Sequence, residues 1–468
     1  MNSIVSKKNF LILLIIITAA GGIIRFINIT YSSLWADELY SMLSIYPGNT
    51  WYEILYMQRT YQPPGYFMLL WEWTKIFGYT EFSARLLSVL GGTLAIFLTG
   101  MLGKKIRNET LGLLLALLVA FNPSQIYYSL EARFYIFTYC IAVCSLWLHW
   151  HLLTTKSRNF LLYFILAGIN ALLCYFHHFG LFFVFGLFVH DTIVYFREKN
   201  LPYYIRKIVT YALSALFYAP WFFWGLLRGM STTTFWLKEI DVWKYFSYYM
   251  SYPFVINILL TLLVVYFIIV ICKRENFNYT LFPVIVVFVI LLPVLYSLIR
   301  IPILVDRYGM VMVPAIYIMI GMSIIDLSKR VNHKARVIAS GVLVCLIIIP
   351  GVYLSLINKK GLTKQPWREM SEWLKKQPDY ATTNIYAEGI LLKNRFTIDF
   401  YLLPQKAAKH IDNLTLGTDN KMYLVETTGV WSIPDSILNL AKKYYSIQSV
   451  NLQESNMYFG RIYVCTKK

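Results

Sequence analysis

Long apolar runs separated by short polar segments dominate the first three quarters of the chain. A helix needs about 20 apolar residues to cross the hydrocarbon core of a bilayer. Runs near that length predict about eleven membrane-spanning helices, at residues 9–27, 83–103, 110–127, 132–153, 160–178, 179–196, 207–228, 252–272, 280–299, 309–327 and 336–356. The pattern therefore predicts a polytopic α-helical membrane protein.

Two regions interrupt this pattern, at residues 28–82 and 358–468. The first predicts three short amphipathic helices, at 37–46, 51–59 and 64–77, and the Trp and Tyr residues of the third are typical of a membrane–water interface. The second predicts a mixed α/β fold, with helices at 367–376 and 434–445 and strands at 383–387, 421–426 and 458–465. We therefore expect a transmembrane domain, 1–357, that carries the loop 28–82, followed by a small α/β domain, 358–468.

Charge fixes the expected orientation. Only 14% of the residues are charged, against about 25% in a soluble domain, yet the net charge is +19. The basic residues cluster between apolar runs, and each cluster follows an even number of predicted crossings if the N-terminus is cytoplasmic. This distribution argues against a nucleic-acid partner. It predicts a multi-pass protein of the cell membrane with an extracytoplasmic C-terminal domain, and the short loops favour a bacterial inner membrane.

Acidic residues in the first predicted loop are the first candidates for chemistry. Asp37 and Glu38 follow the first span by about ten residues, and adjacent carboxylates can accept a proton or hold a divalent cation. The same residues are also favoured at an ordinary helix start. Glu131 and Arg133 lie at the predicted outer ends of two spans, where ionisable side chains face a cavity or pair with each other.

Basic residues form the second group of candidates. The guanidinium groups of Arg85, Arg133 and Arg307 suit phosphate, although arginines at a membrane edge also extend towards the interface. His177 is either an interfacial residue or a ligand for metal or phosphate. All these candidates map to the same predicted side of the membrane, which indicates a site on the outer face.

Several motifs occur in a specific order along the chain. They are Leu34-Trp35-Ala36-Asp37-Glu38, Gln62-Pro63-Pro64-Gly65-Tyr66, the segment 77–88, Asn122-Pro123 leading into 128–135, the histidine turn at 175–180, Asp306-Arg307-Tyr308, and Trp367-Arg368-Glu369. Together they resemble glycosyltransferase family 39, the membrane sugar transferases of the GT-C fold that include protein O-mannosyltransferases and aminoarabinose transferases. The resemblance extends to about residue 375, and Gly65 stands where that family usually has leucine.

The resemblance implies an inverting glycosyltransferase that uses a sugar joined to a polyprenyl phosphate. Its acceptor would be a glycolipid, a cell-envelope polysaccharide or a protein. Asp37 would be the general base, and Glu38 would orient it or, with His177, hold a divalent metal; no other cofactor is expected. The donor phosphate and lipid would contact Arg85, Arg133, Arg307 and Tyr308, whereas Tyr66, Glu131, Tyr135 and His177 would contact sugar or acceptor or support the site.

Two other classes of protein fit the composition. A transporter or flippase of a lipid-linked sugar would also span the membrane many times, but such proteins often contain internal repeats with Gly/Pro-broken helices in matching positions. The sequence shows neither feature. A scaffold that presents the C-terminal domain would leave the charged residues at the membrane edge without a purpose.

Overall fold

The computed structural model describes residues 7–58, 62–227, 241–247, 254–272, 277–357, 364–387, 390–392, 395–403, 405–427, 433–454 and 459–468. These form two compact units. The helical unit comprises Met1–Ile27, Thr50–Leu69 and Leu86–Ile357, and the sheet unit comprises Asn28–Asn49, Leu70–Arg85 and Asn358–Lys468. Parts of the predicted first loop therefore group with the C-terminal segment.

The described residues up to 357 are mostly helical. The helices are α1 Lys7–Phe26, α2 Ala36–Ser44, α3 Trp51–Gln58, α4 Gly65–Phe77, α5 Glu81–Ile106, α6 Glu109–Phe121, α7 Pro123–Ser129, α8 Tyr135–Thr155, α9 Phe160–Phe176, α10 Phe179–Glu198, α11 Leu201–Trp221, α12 Val242–Ser247, α13 Phe254–Tyr266, α14 Leu281–Ile299, α15 Val313–Ser328 and α16 His333–Val352. Phe277–Thr280 and Asp306–Met312 are 3₁₀ turns, and π-helical turns extend α11, α13 and α16 through Phe222–Leu226, Phe267–Ile271 and Tyr353–Ile357.

Eight helices of the described chain are long and apolar enough to cross a membrane, and the bent pair α6–α7 brings this number to nine. Two shorter apolar helices, Phe160–Phe176 and Ile256–Val270, occupy the positions of the remaining predicted spans. The polytopic α-helical architecture is therefore confirmed. Some ends of predicted elements, at residues 59, 228, 252–253 and 458, lie outside the described residues.

The predicted uninterrupted span at 110–127 is wrong in one respect, because the helix breaks at Pro123. Helices α6 and α7 meet at an angle of 62°. Proline has no N–H, so the carbonyl of Val119 loses its helical hydrogen-bond donor. The side chain of Asn122 accepts a hydrogen bond from the N–H of Gln125 at 3.3 Å and starts the new helix.

A buried arginine of α1 replaces the donors that this break removes. Arg25 is fully buried, and its Nη2 donates to the Val119 carbonyl at 2.8 Å while its Nη1 donates to the Ala120 carbonyl at 2.9 Å. Its Nε donates to Ser129 Oγ, in the second helix of the bent pair, at 3.0 Å. One guanidinium therefore joins α1 to both sides of the break.

The C-terminal part of the sheet unit has the predicted α/β character. Its helices are α17 Trp367–Lys375, α18 Asp399–Leu402 and α19 Asp435–Tyr444, with a 3₁₀ turn at Ile411–Asn413. Its strands are β1 Asn384–Ala387, β2 Ile390–Leu392, β3 Arg395–Phe396, β4 Lys409–His410, β5 Lys421–Thr427, β6 Tyr445–Glu454 and β7 Phe459–Lys467.

These strands form a five-stranded sheet in the order β4-β1-β5-β7-β6, and β2 pairs with β3. Strand β1 runs parallel to β4 and β5, whereas β7 is antiparallel to β5 and β6. The predicted strands correspond to β1, β5 and β7, and the predicted helices to α17 and α19. A core that includes Met422, Leu424, Tyr463 and Cys465 is buried against the sheet.

Candidate active site

Within the helical unit, the short turn between α9 and α10 places His177 among aromatic rings from two other segments. The ring of His177 stacks on Phe134 with centroids 4.7 Å apart and lies 4.6 Å from the ring of Tyr308. The side chain is only 7% exposed. The turn, the loop after α7 and the 3₁₀ turn Asp306–Met312 therefore meet at this histidine.

His177 is neutral at neutral pH. Burial lowers its pKa well below the usual value. The basic groups of His178, Arg133 and Arg307 lower this pKa further. Its Nδ1 accepts a hydrogen bond from the N–H of Phe179 at 3.2 Å, so the proton of the neutral ring lies on Nε2. His177 is thus held as a hydrogen-bond donor.

The neighbouring His178 is engaged elsewhere. Its Nδ1 lies 3.1 Å from the hydroxyl of Tyr218 on α11, and burial lowers its pKa to about 4. Among the described residues, the ring contacts to the other predicted motifs, at Phe134 and Tyr308, are made by His177 and not by His178.

Arg133 belongs to the same cluster. Its side chain is 1% exposed, and its Nη2 donates to Gln62 Oε1 at 2.8 Å. The guanidinium carbon lies 4.9 Å from the ring centre of Phe134, within the range of a cation–π interaction. Glu131 is fully buried, and its carbonyl accepts the N–H of Arg133 at 2.7 Å.

Arg307 and Tyr308 lie in the 3₁₀ turn that precedes α15, and both are half-buried. The N–H of Arg307 donates to Asp306 Oδ1 at 2.9 Å within the turn. The guanidinium carbon lies 5.7 Å from the ring centre of Tyr308. Because the rings of Phe134 and Tyr308 both contact His177, each of the two guanidinium groups lies beside a ring that packs on the neutral imidazole.

Tyr66 and Tyr135 complete the predicted set in the helical unit, and both are fully buried. The Tyr66 ring lies 5.7 Å from the ring of Phe137 on α8, and the Tyr135 ring lies 4.5 Å from that of Phe134. The adjacent Gly65 packs against the end of α9: a Cβ there would lie 2.7 Å from the Tyr175 carbonyl oxygen and 2.8 Å from the Phe176 ring. Close packing therefore explains why glycine replaces the usual leucine.

In the sheet unit, Asp37 and Glu38 lie in the first turn of α2. Glu38 Oε2 accepts the N–H of Trp35, the residue that precedes the helix, at 3.2 Å. Asp37 is half-buried, whereas Glu38 is fully buried. The two acids therefore do stand at a helix start, as one of the two interpretations predicted. Their position on the backbone does not by itself give the side chain of Asp37 a role.

Glu38 forms a bidentate ion pair with Arg85, with Nε–Oε1 at 2.9 Å and Nη2–Oε2 at 2.8 Å. The same guanidinium also donates to the carbonyls of Ile29 at 3.2 Å and Ser33 at 3.0 Å. Lys364 Nζ lies 3.6 Å from Glu38 Oε2. With two cations on its carboxylate, Glu38 is a poor ligand for a divalent metal, and Arg85 directs its donors to protein atoms.

The C-terminal segment supplies further contacts to the chain that leads into α2. The hydroxyl of Tyr401 accepts the N–H of Leu34 at 2.8 Å and donates to Glu81 Oε2 at 2.9 Å. Gln365 Oε1 accepts the N–H of Ala36 at 3.1 Å. Neither Gln365 nor Tyr401 was predicted from the sequence. Gln365 could have been noticed because it lies two residues before the Trp367-Arg368-Glu369 motif, whereas Tyr401 lies in no motif.

A metal-capable cluster exists at a different place from the one predicted. In the parts of the chain that the structure describes, the group of His, Cys, Asp or Glu side chains that could hold an ion is His149, His190 and Asp191. Neither Glu38 nor His177 belongs to it.

Comparison with known proteins identifies the fold. No family model and no curated protein sequence matches the chain. The crystal structure of ArnT from Cupriavidus metallidurans bound to undecaprenyl phosphate matches with a TM-score of 0.60 at 12% identity, covering 98% of each chain. Its apo state gives a TM-score of 0.61 at 11% identity, covering 96% of this chain and 97% of that one. The chain has the GT-C fold.

A second structure with the GT-C fold matches with a lower TM-score. The Archaeoglobus fulgidus oligosaccharyltransferase, tethered with an acceptor peptide containing the NVT sequon, matches with a TM-score of 0.52 at 13% identity. The match covers 97% of this chain and 74% of that one. The GT-C fold that the motifs implied is therefore confirmed, whereas the role of each residue is argued from its own contacts.

Proposed function

We propose that this protein transfers a sugar from a polyprenyl-phosphate donor to an acceptor on the extracytoplasmic side of a bacterial inner membrane. Two structures that share the fold support the choice of substrates: ArnT is bound to undecaprenyl phosphate, and the oligosaccharyltransferase is tethered with an acceptor peptide. The sugar is a hexose or pentose, and the acceptor is a glycolipid, a cell-envelope polysaccharide or a protein.

The observation that carries the proposal is that two guanidinium groups each lie beside an aromatic ring that contacts His177. Arg133 is almost completely buried beside Phe134, and Arg307 is half-buried beside Tyr308. Guanidinium groups in apolar surroundings bind phosphate strongly, because they stay charged and little water competes for their donors. Such a site suits a phosphate that arrives on a lipid tail within the bilayer.

In the proposed reaction, Asp37 removes the proton from the acceptor hydroxyl. The hydroxyl oxygen attacks the anomeric carbon, and the bond from that carbon to the phosphate oxygen breaks with inversion. The electron pair leaves with the polyprenyl phosphate, whose increased negative charge Arg133 and Arg307 stabilise. The Nε2–H of His177 is a further donor, and Tyr66, Glu131, Tyr135 and Tyr308 shape the surroundings.

Glu38 and Arg85 take positioning roles in this proposal. Their ion pair fixes the start of α2, and Arg85 also binds the carbonyls just before it. Asp37 is therefore presented on a helix end whose backbone is held from several directions. This revises our expectation that Arg85 contacts the donor phosphate.

Binding of the lipid phosphate and transfer of the sugar depend on different residues, so each can be tested by itself. Undecaprenyl phosphate binding to the purified protein should weaken by about 10- to 100-fold in Arg133→Gln and Arg307→Gln, since each removes charge-assisted hydrogen bonds. Arg300→Gln, at an exposed position, is the matched control. Asp37→Asn should keep this binding.

Transfer is measured in membranes supplied with radiolabelled polyprenyl-phosphate sugars. Asp37→Asn should lower the rate by about 10²- to 10⁴-fold, the usual contribution of a general base. Full transfer by Asp37→Asn would overturn the mechanism. If the unmodified protein shows no transfer activity and Asp37→Asn loses lipid flipping, the result would favour a flippase instead.

One structural observation argues against that flippase alternative. Transporters built from repeats tend to break helices in corresponding positions of their two halves. In the described chain a single helix pair, α6–α7, is bent by more than 40° at a short break. No matching break accompanies it among those residues.

A further inference from the structure

A second buried polar cluster lies in the helical unit, outside the residues of the proposed active site. His149 on α8 and His190 and Asp191 on α10 are each at most 1% exposed. Each of the three offers one ligand atom, and these atoms lie within 4.8 Å of one another. His190 is eleven residues beyond the start of α10, which is about 17 Å along the helix axis from the His177 turn.

Residues of α11 contact one polar atom each of Asp191 and His149. Asp191 uses Oδ2 to accept from the Tyr211 hydroxyl at 2.5 Å and to pair with Lys207 Nζ at 3.3 Å. His149 uses Nδ1, which lies 3.1 Å from the same Lys207 nitrogen. Both Lys207 and Tyr211 belong to α11, so a third helix orients the two side chains.

This arrangement leaves atoms of three side chains facing one another. Asp191 Oδ1, His149 Nε2 and both ring nitrogens of His190 are buried and hydrogen-bond to none of the described residues. His149 Nε2 and Asp191 Oδ1 are 3.5 Å apart. Adjacent ligands in a tetrahedral site with bonds of about 2.0 Å are about 3.3 Å apart, so this pair already has the spacing of two zinc ligands.

We propose that His149, His190 and Asp191 bind a divalent transition metal of the Zn²⁺ type. Two imidazoles and one carboxylate form a common ligand set for such ions, and outer hydrogen bonds to the ligands normally orient them.

The metal has a structural role. It joins α8 to α10, and Lys207 and Tyr211 extend the connection to α11. The aromatic turn at His177 directly precedes α10, whereas His190 and Asp191 lie just past the middle of that helix, so the site stabilises the helix without taking part in the sugar transfer. The inference does not depend on the proposed function, because its readouts are metal content and stability.

The test uses the full chain purified in detergent, freed of metal by a chelator and titrated with Zn²⁺ or Co²⁺. The unmodified protein should bind about one equivalent, and Co²⁺ should give the intense visible absorption of a tetrahedral site. The midpoint of thermal unfolding should rise with metal concentration, because the ion binds the folded state.

His190→Ala is the most informative variant. Since the ring nitrogens of His190 bond to no described residue, its removal leaves the contacts among Asp191, Lys207 and Tyr211 in place. Metal affinity should fall by at least about tenfold. His151→Ala, a partly exposed histidine of the same α8 helix, is the matched control and should bind metal as the unmodified protein does.

Two results would overturn the proposal. One is a failure of the unmodified protein to take up a stoichiometric ion. The other is undiminished binding by His190→Ala, which would place the ion on surface histidines. If His190→Ala does not fold, X-ray absorption of the Zn²⁺-loaded unmodified protein decides the matter, because two imidazoles and an oxygen ligand are required.

Discussion

At the scale of single residues, the packing around Gly65 gives a direct test of the local geometry. We expect Gly65→Leu to destabilise the protein, because its Cβ alone would approach the Tyr175 carbonyl and the Phe176 ring to less than 3 Å. The Tyr175 carbonyl is backbone and cannot move aside as a side chain can. The expected cost is about 1–3 kcal/mol, as in other overpacked interiors, and is measured as a fall in the midpoint of thermal unfolding in detergent.

Gly168→Ala is the matched control for this change. Gly168 lies in the same α9 helix as Tyr175 and Phe176, but a Cβ there meets nothing within 4 Å. Alanine should leave stability unchanged or raise it by up to about 1 kcal/mol through its higher helix propensity. Equal stability of Gly65→Leu and the unmodified protein would show that the junction relaxes freely, contrary to our account.

Residue types could be read from the sequence more readily than their partners. Asp37 and Glu38 were identified because paired acids beside a membrane span are unusual. The sequence does not show that the carboxylate of Glu38 pairs with Arg85, because the two are 47 positions apart. Tyr401 was missed for the same reason: its contacts to Leu34 and Glu81 join distant segments, and an isolated tyrosine carries no local signal.

At the scale of elements, the break between α6 and α7 depends on a residue from another helix. We expect Arg25→Met to destabilise the protein by about 3 kcal/mol, because the carbonyls of Val119 and Ala120 would remain buried without these donors. The thermal unfolding midpoint should fall by about 5 °C. Arg25→Lys should recover only part of the loss, since an ammonium lacks the planar fork of donors.

The control for Arg25 is Ile23→Met, at an exposed position on the same helix. This substitution introduces the same side chain without removing a hydrogen bond, so the midpoint should stay within about 1 °C. If Arg25→Met were as stable as Ile23→Met, another donor would have to satisfy the two carbonyls. The role that we assign to Arg25 would then be wrong.

Helices and strands could be predicted where the apolar residues follow a regular pattern along the sequence. Apolar runs of membrane-spanning length located the helices, but Pro123 shortened one span and turned the chain, which a hydropathy pattern does not record. Strand β6 was missed for a different reason. Its apolar residues change phase between Ile447 and Val450, and its pairing with β7 is irregular between Asn451 and Gln453, so it lacks the strict alternation that marks a strand.

At the scale of the whole molecule, the fold could be predicted because many ordered motifs were spread along the chain, whereas the grouping of segments could not. Part of the first predicted loop clusters with the C-terminal residues, and Thr50–Leu69 clusters with the helices. Contacts such as Gln365 to Ala36 bring about this grouping. They join residues more than 300 positions apart, and the short amphipathic helices of the loop carry no sign of them.

The basic clusters predict an orientation in the membrane, and single cysteines can test that prediction. Lys334→Cys lies in the basic first turn of α16, and Lys468→Cys lies in the sheet unit; both positions are exposed. With a cytoplasmic N-terminus, a membrane-impermeant maleimide added to intact cells should label Lys468→Cys but not Lys334→Cys. Permeabilised cells should label both, which shows that each thiol is reactive, and the unmodified protein measures the background from its six native cysteines. Labelling of Lys334→Cys alone in intact cells would invert the orientation and remove the basis for an extracytoplasmic reaction.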